Sequence, residues 1–260
     1  MLTGLLKALG AYRVYERWLT EQVKKAEMPR HIGVILDGNR RWAAQKLLSA
    51  AEGHIEGAET GEDFLEWCLS LGIKVVTVYA FSAENFQRSQ AEVKSILSLI
   101  EKEALQLKSD PRIHKEKVRV KALGRLEHLP ESLRRVLNDV EDTTRDYDGH
   151  YLNLAIAYGG RAEIVDAAKK IAHDVQEQRV TVDRIDEELF MQYLYTAHLP
   201  NPYPDLIIRT SGEERLSGFL LWQSAYSELC FIDVWWPDFR KIDLLRAVRT
   251  YQKRVRKFGK

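Results

Sequence analysis

Six short runs of apolar and β-branched residues, set between amphipathic stretches, constrain this 260-residue chain more than any other feature. The runs cover 31–36, 74–81, 118–124, 151–157, 205–210 and 228–234. Helical periodicity fills 56–71, 91–108, 130–147, 161–178 and 187–195 between most of them. Strands alternating with helices call for right-handed crossovers, so the pattern predicts a mostly parallel sheet covered on both faces. Near-continuous apolar runs such as Val75-Val76-Thr77-Val78-Tyr79 suit strands buried on both sides. No linker-like stretch or repeat interrupts 30–258, which predicts one α/β domain over 29–260. Ahead of it, 1–28 reads as an amphipathic helical extension, with Leu2, Leu5, Leu9, Tyr12, Tyr15, Trp18, Leu19 and Val23 recurring three and four apart. Packing on the body is the plainer expectation. Its Trp, Tyr and basic residues also suit a membrane headgroup region.

Composition narrows the function. A hydrophobic share of 45%, with 10% aromatics, is enough to build a core and excludes wholesale disorder. Lys+Arg 39 against Asp+Glu 38 argues against a nucleic-acid binder. The balance is uneven: 240–260 holds nine basic residues against Asp243, which suits a solvated basic helix face or an attraction to anionic lipid. Two cysteines, Cys68 and Cys230, cannot make a disulfide framework, and a reducing, cytoplasmic setting is expected. No apolar run nears the ~20 residues of a membrane span, and no signal-peptide form opens the chain. Gly-x-Gly-x-x-Gly, Gly-x₄-Gly-Lys-Ser/Thr, Gly-x-Ser-x-Gly, His-Glu-x-x-His and Asp-Asp are all absent from the sequence.

In open parallel sheets, ligands bind beyond the carboxyl ends of the strands. Beyond the first five runs stand Asp37-Gly38-Asn39-Arg40-Arg41-Trp42, Ser82 to Arg88, Gly124-Arg125, Tyr158-Gly159-Gly160-Arg161, and Arg209 to Ser217. Each of the five holds arginine and four hold glycine. Guanidinium forks and glycine-permitted backbone N–H groups suit phosphate oxygens, so a polyanionic ligand is expected. Amid these cations Asp37 is placed to hold Mg²⁺ with substrate phosphates, and Glu228 is the candidate second carboxylate. An Asx-turn or helix N-cap would also explain Asp37, though not the arginines beside it.

The stretch His31 to Ala43, HIGVILDGNRRWA, resembles the cis-prenyltransferases, the undecaprenyl diphosphate synthase family. The likeness continues through Glu52-Gly53-His54, Tyr79 to Phe86, Ala157 to Arg161, Asp205 to Glu213, Phe219 to Gln223 and Trp235 to Phe239. The resemblance implies a six-stranded, largely parallel sheet with a hydrophobic tunnel, in a homodimer. It implies repeated addition of isopentenyl diphosphate to an allylic diphosphate, farnesyl or geranylgeranyl, with each new double bond cis. The product would be a long polyprenyl diphosphate for a glycosyl-carrier lipid. By position, Asp37 would be catalytic and bind Mg²⁺, with Glu228 as a metal-associated carboxylate. Gly38, Asn39, Arg40, Arg41 and His54 would hold the allylic diphosphate. Arg209, Arg215, Leu216 and Ser217 would surround isopentenyl diphosphate. Asn85, with Ser82, Ala83, Glu84, Arg88, Trp42 and Phe86, would lie around the reacting carbons.

A carboxamide is too weakly basic to take a proton, so Asn85 is expected to orient the isopentenyl group. Helices 56–71 and 91–108 carry more apolar surface than one solvated face needs, as a tunnel wall would. Two positions depart from the family pattern. Ala50 stands where an arginine is usual, so one phosphate contact is expected to be missing or supplied elsewhere, with Lys46 a candidate, and Lys257-Phe258-Gly259 replaces a terminal Arg-x-Gly. The alternative, a non-catalytic interaction subunit, would lack the Asp-Gly-Asn motif and site arginines that this chain keeps. Peripheral membrane contact remains open at both chain ends.

Overall fold

The computed structural model describes residues 10–254. Six strands form one sheet: β1 (His31–Ile35), β2 (Val75–Ser82), β3 (Val118–Leu123), β4 (His150–Tyr158), β5 (Leu206–Arg209) and β6 (Glu228–Phe231). Their order is β3-β4-β2-β1-β5-β6, and every pairing is parallel. Nine helices surround the sheet among the described residues: α1 (Ala11–Val23), α2 (Asn39–Gln45), α3 (Ala50–Ser70), α4 (Gln90–Ser109), α5 (Pro111–Lys115), α6 (Glu131–Thr144), α7 (Gly160–Gln176), α8 (Glu187–Met191) and α9 (Lys241–Lys253).

The strand period of two divides the core. Ile32, Val34, Val76, Leu152 and Ile208 face one side, packing with Phe64 of α3 and Leu244 and Val248 of α9. Ile35, Tyr79, Ala155 and Ile207 face the other, with Tyr158 and Phe219. A register shift between Tyr79 and Phe81 bends β2 at its carboxyl end and turns Phe81 into a separate cluster with Ile96 and Leu133.

Several boundaries differ from the periodicity. α3 begins at Ala50 rather than 56, because Ser49 and Glu52 form a reciprocal capping box there. That earlier start puts His54 inside the helix. α8 ends at Met191 and β6 at Phe231, both sooner than expected. The basic segment from 240 is not merely a solvated face: Ile242, Leu244, Leu245, Ala247 and Val248 of α9 are core residues. α1 docks against α9 through fully buried Leu19 and Val23, and Gln252 Nε2 donates to the Val23 carbonyl at 2.7 Å. Leu2, Leu5 and Leu9 of the expected extension, and Lys257-Phe258-Gly259, lie outside the described residues. No described helix is long and apolar enough to cross a membrane.

Candidate active site

β1 and β5 are neighbours whose onward connections leave in opposite directions, to β2 on one side and β6 on the other. A crevice opens beyond the carboxyl ends at such a switch point. Asp37 and Arg209 line it. Thr210 clips the two strand ends together: its Oγ1 accepts from Asp37 N at 3.0 Å and donates to the Asp37 carbonyl at 2.7 Å. Gly38 comes next with φ 109°, and a Cβ there would stand 2.8 Å from Trp235 Cδ1, so glycine is required on both counts.

Asp37 Oδ2 accepts from Arg209 Nη2 at 2.7 Å, and Oδ1 lies 3.4 Å from Arg41 Nη2. Burial pushes the Asp37 carboxyl up, but the hydrogen bond and charge of Arg209, aided by Ser211 and Arg41, hold it below its ordinary value. Arg41 also donates to Ser211 Oγ at 2.6 Å and to Glu213 Oε1 at 3.4 Å. Arg209 Nη1 donates to Ser217 Oγ at 2.8 Å and to the Arg215 carbonyl, while Arg215 pairs with Glu213. The chain thus brings Asp37, Gly38, Arg41, Arg209, Arg215 and Ser217 together.

A second group forms where α3 meets the start of α4. Glu92 Oε1 accepts from Arg88 Nη1 at 2.9 Å, with Arg40 Nε and His54 Nε2 each 3.6 Å away. Burial pushes the His54 pKa down, with Glu92 opposing the shift and Arg88 and Arg40 reinforcing it. Asn85 Oδ1 accepts from Ser82 N at 3.0 Å, which leaves its amide N–H groups to offer a ligand. Asn39 Oδ1, His54 Nε2 and Arg209 Nε are buried without a hydrogen-bond partner. Orphaned buried polar atoms are costly, and three of them in and between these two charged groups point to a polar ligand.

From Asn39 and His54 an apolar cavity of about 630 Å³ runs between α3, α4 and the sheet, lined by Leu65, Val78, Ile96, Ile100 and Leu154 among others. It occupies the place expected for a tunnel.

Other expected residues stand elsewhere. Glu228 opens β6, and its register with Leu206 and thence Ile32 puts it at the amino-terminal edge of the sheet, away from Asp37. There it accepts from Arg254 Nη1 at 2.6 Å. In a parallel sheet the first residue of one strand cannot share an edge with the residue just past the end of another. Trp42 is buried, 4% exposed, under Lys46 Nζ 3.8 Å from its ring centroid, so neither extends the arginine cluster. Phe86 packs edge-on against Phe81, and Leu216 packs with the Phe219 cluster. Ala83 and Glu84 are exposed on a 3₁₀ turn, Ala83–Gln87. Sequence patterning does not single out Glu92 and Glu213 as partners of the site cations. The Arg88–Glu92 spacing of four is a visible signal for the first.

No group of three or more His, Cys, Asp and Glu able to hold a metal occurs among the described residues. Asp37 is a single carboxylate between guanidinium groups. That donor set fits Mg²⁺ only with phosphate oxygens completing it, which is the usual manner for this ion.

The prenyltransferase family model described as undecaprenyl diphosphate synthase matches residues 35–259. The chain belongs to this family of cis-prenyltransferases. It is 55% identical over 249 residues to a tritrans,polycis-undecaprenyl-diphosphate synthase (geranylgeranyl-diphosphate specific) of Methanopyrus kandleri, covering 96% of this chain and 91% of that one. A synthase of the same name from Thermoplasma volcanium is 52% identical over 99% of this chain and 100% of its own. The structure of lavandulyl diphosphate synthase from Lavandula x intermedia, in complex with dimethylallyl diphosphate, superposes with a TM-score of 0.85 at 37% identity, covering 90% of this chain and 99% of that one.

Proposed function

We propose that the chain adds isopentenyl diphosphate repeatedly to geranylgeranyl diphosphate, building a long polycis-polyprenyl diphosphate for a glycosyl-carrier lipid. The observation that carries this is a juxtaposition: Asp37 stands between guanidinium groups, and Leu36 and Asn39 on either side of it in the chain line an apolar cavity. Such a site suits a molecule with a diphosphate head and a hydrocarbon tail. Similarity to synthases named as geranylgeranyl-specific supports that primer over farnesyl diphosphate.

Arg209, Arg215 and Ser217 bind the diphosphate of isopentenyl diphosphate, while Gly38, Asn39, Arg40, Arg41 and His54 hold the allylic diphosphate. The Asn85 amide orients the isopentenyl double bond toward the allylic carbon. As the new carbon–carbon bond forms, the allylic diphosphate departs, and a proton leaves the isopentenyl C2 for a diphosphate oxygen. Fixed arginines stabilise the leaving charge without reorganising, and the apolar cavity keeps water from the allylic centre. Mg²⁺, held by Asp37 with substrate oxygens, would supply further neutralisation of that charge. Homodimerisation and a cytoplasmic location with peripheral membrane contact belong to the same proposal. The test incubates the protein with Mg²⁺, labelled isopentenyl diphosphate and geranylgeranyl diphosphate. Label should move into butanol-extractable product, and chelation should stop it. Label that stays in water with every allylic primer would refute the proposal.

A further inference from the structure

The Arg41 side chain is 46% exposed, yet a guanidinium that grips a diphosphate has to present its fork in one orientation. Two of its partners are the carboxylates of Asp37 and Glu213, each at 3.4 Å. The third is closer: Ser211 Oγ accepts from Arg41 Nη2 at 2.6 Å. A carboxylate repels a phosphate that approaches the same guanidinium. A neutral hydroxyl takes one N–H and leaves the charge and the other donors for the ligand. Ser211 can therefore hold Arg41 equally well with the subsite empty or filled.

The backbone at Ser211 is one that serine disfavours. Its φ is +78°, and Gly212 follows at +73°, so two successive residues lie in the left-handed region. Glycine enters that region freely, whereas a residue with a Cβ is strained there. The turn is held in place from both residues. Ser211 N donates to the Val234 carbonyl at 2.8 Å and Gly212 N to the Ile232 carbonyl at 3.1 Å, pinning it against the segment that follows β6. Gly212 suits its conformation and Ser211 does not. Ser211 is also buried, so its hydroxyl meets Arg41 away from bulk water. Strained residues cluster at ligand clamps, where the surrounding structure over-determines them. Here the group that glycine would lack is the one that contacts Arg41.

We propose that Ser211 is a positioning residue for the reaction: its hydroxyl, carried on a left-handed turn, fixes the Arg41 guanidinium toward the allylic diphosphate. The proposal rests on the function proposed above and adds a residue to it. Arg209, Arg215 and Ser217 make their hydrogen bonds with Asp37, Glu213 and one another. The influence of Ser211 thus falls on the primer rather than on isopentenyl diphosphate.

Ser211→Ala and Ser211→Gly both remove the hydroxyl, but only glycine relieves the backbone. Thermal melts should separate the two, with Ser211→Gly higher than Ser211→Ala by about 2–4 °C. Kinetics should not separate them. Each should raise KM for geranylgeranyl diphosphate by ~10-fold, the low end for losing a hydrogen bond to a charged group. KM for isopentenyl diphosphate should stay close to the wild-type value. Calorimetric titration with geranylgeranyl diphosphate and Mg²⁺, without isopentenyl diphosphate, should show the same weakening in the absence of turnover. An unchanged primer KM in both variants, beside an active wild type, would overturn the positioning role and leave the function intact. So would an equal rise in KM for both substrates. A primer KM that follows Tm, normal in Ser211→Gly and raised only in Ser211→Ala, would also overturn it, because the effect would then belong to the fold. A wild type that neither binds nor elongates the primer would overturn both proposals.

Discussion

Asp37 Oδ2 and Arg209 Nη2 lie 2.7 Å apart although the residues are separated by 172 positions, and the Arg209 side chain is only 5% exposed. Removing the carboxylate strands a buried guanidinium, which costs about 3–5 kcal/mol where a buried pair is broken from one side. Asp37→Ala should therefore lose stability in denaturant titrations, and turnover should fall by ~10²–10³ as a charge-stabilising group is removed. Asp37→Asn keeps the shape and should lose turnover with a smaller loss of stability. Wild-type turnover in Asp37→Ala would contradict the assigned role.

The same pair makes a pH prediction. The Asp37 carboxyl is held below 3.8, its ordinary value, in the folded chain. Its contribution to stability is thus fully present above that value and is lost as pH falls through it toward the lower folded one. The stability difference between wild type and Asp37→Asn should be constant from pH 7 to 5 and shrink on acidification below pH 4. A difference that grows there would reverse the sign of the interaction.

Arg215 offers a test of substrate assignment. Its guanidinium pairs with Glu213, while its carbonyl accepts from Arg209, so the side chain can be changed without removing the Arg209 anchor. Lysine lacks the bidentate fork, and losing one charge-assisted hydrogen bond costs about 1.5–3 kcal/mol. Arg215→Lys should raise KM for isopentenyl diphosphate by ~10–100-fold, with KM for the allylic primer little changed. An equal rise in both would place Arg215 outside the proposed subsite.

The strands were legible because buried parallel strands leave short apolar, β-branched runs, here alternating with helical stretches. Arginines at strand ends were legible for a related reason: parallel topology gathers every carboxyl end on one edge. Helix starts were less so, since the start of α3 depends on the Ser49–Glu52 exchange rather than on periodicity. The pairing of Arg41 with Glu213 joins residues 172 apart, beyond any local pattern. Glu228 is instructive in another way. Resemblance suggested a metal role, yet its place at the start of a parallel strand already put it at the opposite edge from Asp37.

The docking of α1 is tested at Leu19, which is fully buried against the core that α9 shares. Leu→Ala at such sites costs about 2–5 kcal/mol through lost burial and the cavity left behind. Leu19→Ala should lower stability by that amount in urea titrations. If stability did not change, α1 would be a dispensable appendage rather than part of the folded body.

Two glycines of α3 should respond oppositely to one substitution. Glycine inside a helix costs roughly 0.5–1 kcal/mol relative to alanine, so alanine normally stabilises. At Gly61 a Cβ meets nothing within 4 Å, and Gly61→Ala should raise Tm by about 2 °C. At Gly57 the same Cβ would stand 2.6 Å from Asn39 Oδ1, an atom already buried without a partner. Asn39 would have to turn away, and with it a proposed contact to the allylic diphosphate. Gly57→Ala should therefore lower Tm and raise KM for the primer, despite improving helix propensity. Were both substitutions stabilising and neutral in activity, the close approach of α2 to α3 would have no part in forming the site.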